Sequence, residues 1–240
     1  MGVGMNLVTI ASDLSLTVDQ LRFTDPITHV YNPLRYARAT YVDYVERYGT
    51  GTKEIVFLGM NPGPWGMAQT GVPFGEVQAV RDWLGIEAHV GQPTHPHPKR
   101  PILGFKCTRS EVSGKRVWGW ARSVFQTPER FFKRFFIANY CPLLFFEATG
   151  ANRTPDRIRQ TERRPLLAAC DQALRQTITL LQPVFVIAFG RFAETRACQA
   201  LEATSVRVAS IPHPSPANPR ANRGWKQLAT QRLSQLGIDL

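Results

Sequence analysis

Short continuous apolar runs alternate along this 240-residue chain with longer stretches of helical spacing. Glu54–Leu58 (EIVFL) is apolar and β-rich and enters a Gly/Pro loop, which predicts a buried strand. Phe135–Tyr140 is predicted as a second buried strand, and Val184–Phe189 and Val206–Ile211 as further strands. Helices are predicted at 13–23, 40–48, 116–126, 128–134, about 164–181 and 191–203. Glu76–Leu84 adds Val77, Val80, Trp83 and Leu84 at helical intervals. A last helix is expected to start at Asn222 as N-cap and to stop before Gly237. Strands alternating with helices predict an α/β fold. The expected architecture is a single three-layer α/β/α domain spanning 1–240, built on a central, mostly parallel four-stranded sheet. The first dozen residues are expected to be disordered. Ligands of such sheets bind beyond the carboxyl ends of the strands. Two unusual loops, Gly59–Gly75 and Pro212–Asn222, leave strands and should meet on that edge.

Composition narrows the class. With 43% hydrophobic and 20% charged residues the chain is expected to be globular rather than disordered. No apolar stretch approaches the roughly 20 residues that span a bilayer. Met1–Ile10 lacks the basic and long apolar regions of a signal peptide. Asn6 breaks the N-terminal acylation pattern. The expectation is an intracellular protein: cytoplasmic, at the nucleoid, in a bacterium, the favoured source, or nuclear in a eukaryote. Cys107, Cys141, Cys170 and Cys198 stand alone, without a C-x-x-C pair, and are expected to be buried apolar fillers. Neither a metal nor a cofactor nor a disulfide is expected, and the chain is expected to be a monomer.

The net charge of +11 is unevenly placed. Residues 1–98 hold six Lys/Arg against nine Asp/Glu, and residues 99–240 hold 23 against nine. Within 99–134, ten basic residues and two acidic ones lie among Trp118, Trp120, Phe125, Phe131 and Phe132. A basic surface serves solubility equally well, but arginine interleaved with aromatics suits a phosphate-contacting face with stacking groups. Nucleic acid is the partner this mixture favours.

The first loop packs five glycines and three prolines into seventeen residues (GMNPGPWGMAQTGVPFG). Its glycines permit close backbone approach to a ligand. It lacks the spacing of a dinucleotide or P-loop fingerprint. The second loop, Pro212-His213-Pro214-Ser215-Pro216-Ala217-Asn218-Pro219-Arg220-Ala221-Asn222, is stiffened by alternate prolines and carries a histidine. Taken singly, a long structural turn and a capping histidine remain open readings.

Together the residues resemble a known family. Gly59-Met60-Asn61-Pro62-Gly63 with His213-Pro214-Ser215-Pro216 looks like the paired motifs of the uracil-DNA glycosylase superfamily. The full first loop plus HPSPANPRAN is similar to the single-strand-selective monofunctional uracil-DNA glycosylases. The resemblance runs from about residue 20 to 237. It includes Tyr31-Asn32-Pro33, Arg81-Asp82-Trp83-Leu84-Gly85, Ser110-Glu111-Val112-Ser113-Gly114 and Asn139-Tyr140-Cys141-Pro142-Leu143. Classical members carry Asp in a GQDPYH first motif with HPSP in the second. Mismatch-specific members pair Asn-Pro-Gly with a second motif lacking the histidine. This chain combines the Asn of one with the His of the other.

The resemblance implies a base-flipping, monofunctional glycosylase acting on uracil, and on 5-hydroxymethyluracil or related bases, in single- or double-stranded DNA. Asn61 would orient water and His213 would donate to uracil O2, so these two are the expected catalytic residues. Phe74 would stack on the base, Asn139 would read its edge, and backbone around Met60 and Gly63 would line the C5 side. Ser215, Pro216, Ala217, Asn218, Arg220 and Asn222 fall in the family's intercalating loop. Ala217 stands where the family often has a long basic wedge residue, and Arg220 lies three residues on. A silent nucleic-acid-binding module of the same fold is the alternative, and a nucleotide-binding α/β enzyme a weaker third.

Overall fold

The computed structural model describes residues 4–240. Its centre is a parallel sheet of four strands, β2 (Ile55–Gly59), β3 (Phe135–Asn139), β6 (Phe185–Phe189) and β7 (Arg207–Ile211), in the order β3-β2-β6-β7. Ile55 pairs with Phe135 on one side and Phe185 on the other, so β2 lies between two neighbours and is buried throughout. That position explains its unbroken apolar run, since strands covered on both faces cannot alternate with polar residues. The expected parallel sheet is therefore present, with strand ends displaced by about a residue.

Side chains alternate across the sheet and meet different helices. Phe57 of β2 packs against Trp120 of α5 (Val112–Phe125) and Phe131 of α6 (Pro128–Phe132). On the other face, Leu58 and Phe136 line a small apolar cavity with Leu7 and Ile10 of α1 (Leu7–Asp19) and Leu174 of α7 (Gln160–Leu181). No helix among the described residues is long and apolar enough to cross a membrane.

Four expectations are corrected. The aromatic residues among the basic segment are core, not a stacking face: Trp118, Trp120, Phe125, Phe131 and Phe132 are all buried. They lie on the inner faces of α5 and α6, and the residues that reach water between them, Arg122 and Arg130 among them, are polar or charged. The first dozen residues are not disordered as far as they are described. Asn6 and Thr9 form a reciprocal capping box, and α1 starts at Leu7; the same expectation for residues 1–3 lies outside the described residues. The N-cap expected at Asn222 sits earlier. Asn218 caps the one-turn helix α9 (Pro219–Asn222), and α10 (Trp225–Gln235) begins after Gly224. Of the four cysteines Cys198 is exposed, while Cys107, Cys141 and Cys170 are buried.

A second sheet was not anticipated. β1 (Ile27–Tyr31), β4 (Leu144–Glu147) and β5 (Asn152–Arg153) pair antiparallel in the order β1-β4-β5. It stands at the carboxyl edge of the main sheet, because β4 follows β3 after only four residues.

Candidate active site

All four parallel strands deliver residues to one edge. β2 turns at Gly59 into the loop bearing Asn61, β3 ends on Asn139, β6 ends on Phe189, and β7 leads through Pro212 to His213. A cleft of about 320 Å³ opens there, lined by Met60, Asn61, Gly63, Phe74, Asn139, His213 and Ser215 among others. The two loops thus meet as the strand order requires.

The shape of this cleft depends on two missing side chains. A Cβ on Gly59 would lie 2.3 Å from Asn139 Oδ1 and 2.7 Å from the Phe74 ring. A Cβ on Gly114 of α5 would lie 2.0 Å from the Phe74 carbonyl oxygen. Phe74 is held in a left-handed conformation, φ 54°, which costs a residue with a side chain about 1–3 kcal/mol. Its carbonyl accepts from Trp118 Nε1 at 3.0 Å, and its ring is backed edge-on by Phe189 at 4.7 Å. Packing holds the strained residue and presents its ring to the cleft.

Asn61 and His213 are each held by one hydrogen bond that determines what remains free. Asn61 Nδ2 donates to the Leu143 carbonyl at 3.1 Å, so Oδ1 is left as an acceptor. His213 Nδ1 lies 3.0 Å from the Ser215 backbone N–H and accepts from it. The ring proton therefore sits on Nε2, which becomes the free donor. Burial pushes the His213 pKa down to about 4. At neutral pH the ring is uncharged.

The second loop is braced from several directions. Trp225 Nε1 donates to the Pro212 carbonyl at 2.7 Å, and Asn218 Nδ2 to the His213 carbonyl at 2.9 Å. Arg116, from α5, donates to the Pro214 carbonyl at 2.8 Å and to Asn222 Oδ1 at 2.9 Å. Asn222 Nδ2 in turn donates to the Pro216 carbonyl at 2.9 Å, and Ser215 Oγ accepts from the Ala217 N–H at 3.2 Å. The Asn218 and Asn222 amides thus brace the loop, while Pro216, Ala217 and Arg220 stand exposed.

Sequence reasoning did not assign roles to Arg116, Met67, Glu111, Ser113, Asn152 or Thr154, yet all but Arg116 line the cleft. Asn152 and Thr154 arrive through the small antiparallel sheet. Glu111 is pressed under the first loop, where burial raises its pKa against backbone hydrogen bonds from Trp65 and Ser113. The Ser110–Gly114 motif carried a signal for Glu111 and Ser113, and the first-loop motif for Met67. Among the described residues no group of three or more His, Cys, Asp or Glu is placed to hold a metal ion.

The model of the uracil DNA glycosylase superfamily matches residues 46–234, which takes in all four parallel strands and both loops. The chain belongs to that superfamily. A structure of SMUG2 from Pedobacter heparinus shares the fold, with a TM-score of 0.66 at 19% identity over 95% of this chain and 97% of that one. Similarity in sequence is closer to the single-strand selective monofunctional uracil-DNA glycosylases of Rattus norvegicus and Bos taurus. Each is 49% identical, over 94% and 91% of this chain and over 82% and 81% of the relative. Within the superfamily the chain is a member of this single-strand selective monofunctional family.

Proposed function

We propose that the protein is a base-excision glycosylase that flips uracil out of DNA and hydrolyses its C1′–N1 bond, leaving an abasic site. The observation that carries the mechanism is the pair Asn61 and His213. Each is fixed through one atom, and both line one cleft.

Water held by Asn61 Oδ1 adds to C1′ as the glycosidic electron pair leaves with N1 and spreads to O2. The water proton passes to solvent, and the sugar keeps the hydroxyl. An amide is too weak a base to ionise water, so Asn61 acts by positioning. His213 Nε2–H donates to O2 as charge develops there, and a neutral donor suffices for that role. Phe74 stacks on the base. Asn139 Oδ1 accepts from N3–H while Nδ2 donates to O4. Backbone at Met60 and Gly63 lines the C5 side, excluding thymine and admitting 5-hydroxymethyluracil.

Extruding a nucleotide costs a few kcal/mol. Ser215, Pro216, Ala217 and Arg220 face the DNA, with Asn218 and Asn222 holding the loop's shape. Ala217 fills little of the gap, so an unpaired strand is the easier substrate, and exposed Arg220 supplies charge nearby. Neither loop contains lysine, so no Schiff base forms and the strand is left uncut. We infer a single domain working as a monomer.

The test is incubation with a single-stranded oligonucleotide containing one uracil, followed by hot alkali. Alkali should break the strand at the uracil position, and without alkali the strand should stay whole. An unbroken strand after alkali, in both single- and double-stranded substrates, would overturn the proposal.

A further inference from the structure

Asn139 can read uracil only in one orientation of its amide. Uracil offers a donor at N3 and an acceptor at O4, whereas cytosine offers an acceptor at N3 and a donor at N4. With oxygen toward N3 and nitrogen toward the 4-position the amide matches uracil. Rotated by half a turn about its terminal bond it matches cytosine. The rotation itself is soft, because such sp³–sp² torsions are broad and nearly two-fold. Something in the protein has to choose.

The choice is visible at Met67, in the one-turn helix α4 (Met67–Thr70) of the first loop. Asn139 Nδ2 lies 3.2 Å from Met67 Sδ. A thioether sulfur has no proton and can only accept, so it attracts the NH₂ end of the amide and repels the oxygen. Met67 is almost fully buried, which keeps water from competing for that N–H. Asn139 Oδ1 sits over Gly59, beside the Phe74 ring, and among the described residues no donor reaches it. One N–H of Asn139 is thus spent on sulfur, and the second N–H and the oxygen are left for the base.

We propose that Met67 is a specificity-determining residue: its sulfur holds the Asn139 amide in the orientation that accepts uracil and rejects cytosine. This rests on the assignment of Asn139 as the base-reading residue, and the experiment separates the two. Met67→Leu removes the acceptor at nearly constant volume, an exchange that cores tolerate well. Loss of pocket shape would weaken both bases alike, but a released amide exchanges one for the other. The readout is inhibition, by free uracil and by free cytosine, of uracil excision from a single-stranded oligonucleotide.

In Met67→Leu, uracil should inhibit less well and cytosine better, with their ratio moving about two- to tenfold, the range one neutral hydrogen bond supports. Replacing the methionines by selenomethionine, whose selenium also has no proton and can only accept, should keep the wild-type ratio. Melting curves check folding, and Met67→norleucine, which replaces the sulfur by a methylene, carries the ratio test if the leucine variant does not fold: a wild-type ratio there overturns the proposal. Asn139→Asp, which loses the donor to O4, should lose uracil excision in parallel. If Asn139→Asp loses excision while Met67→Leu keeps the wild-type ratio, the Met67 proposal is overturned and the Asn139 assignment stands. If Asn139→Asp excises uracil normally, the assignment fails and the Met67 proposal fails with it.

Discussion

At the scale of single residues, the site works by leaving particular atoms free. His213 gives its Nδ1 lone pair to the Ser215 N–H, and burial holds its pKa near 4. The ring is therefore neutral across the physiological range, and its titration should leave no inflection near pH 6.5 in the excision rate. A rate profile with such an inflection, absent from a His213 variant, would contradict the assignment. The same shift affects stability. The unfolded chain binds a proton at His213 below about pH 6.5, while the folded chain resists until about pH 4. Stability from this residue is complete above pH 6.5 and falls as pH drops through 4, by on the order of 3 kcal/mol. Denaturant unfolding of wild type and His213→Gln should diverge from each other over that window. Gly59 makes a second residue-scale case. Gly59→Ala drives a methyl group into Asn139 and Phe74, so excision should fall at least about tenfold, with a stability loss of about 1–3 kcal/mol measured by melting.

At the scale of elements, what was legible depended on how local the signal was. β2, β3 and β6 announced themselves as apolar runs because a strand covered on both faces has no polar alternation to confuse it, whereas β7, at the end of the sheet, carries an exposed Arg207. β5 is two residues long, and no pattern of that length can be read, yet it brings Asn152 to the cleft. The aromatics of α5 and α6 were misassigned because successive residues of a helix are turned by about 100°, so aromatic and basic neighbours in sequence face different surroundings. Trp118 and Trp120 turn inward, and Arg116 reaches across to the second loop. That tether is an element-level device, since through it α5 adds a brace to those the His213 loop receives from Trp225, Asn218 and Asn222. Arg116→Ala should lower stability by about 1–2 kcal/mol. It should raise KM for DNA more than it lowers kcat; a variant with unchanged KM would show that the loop needs no tether.

At the scale of the whole molecule, charge and topology point the same way. The basic excess lies in the chain after residue 98, which supplies α5 and the His213 loop, while the net-acidic first part supplies the Asn61 loop. DNA affinity should fall about tenfold or more between 50 and 200 mM salt, as counterions released on phosphate contact would require. A flat salt response would remove the charged face from the account. Asn61 and His213, 152 positions apart in the chain, share an edge because both follow parallel strands of one sheet. The sequence alone could pair their loops but not reveal which atom of each side chain was spent and which was free. On the proposed mechanism these two residues do chemistry rather than bind. It is tested most directly by single-turnover excision of uracil from single-stranded DNA, with DNA affinity measured on the same samples. Asn61→Ala and His213→Ala should each lower the rate by about 10²–10³ while affinity stays within a few-fold of wild type. Equal losses of rate and affinity, or a wild-type rate in either variant, would contradict it.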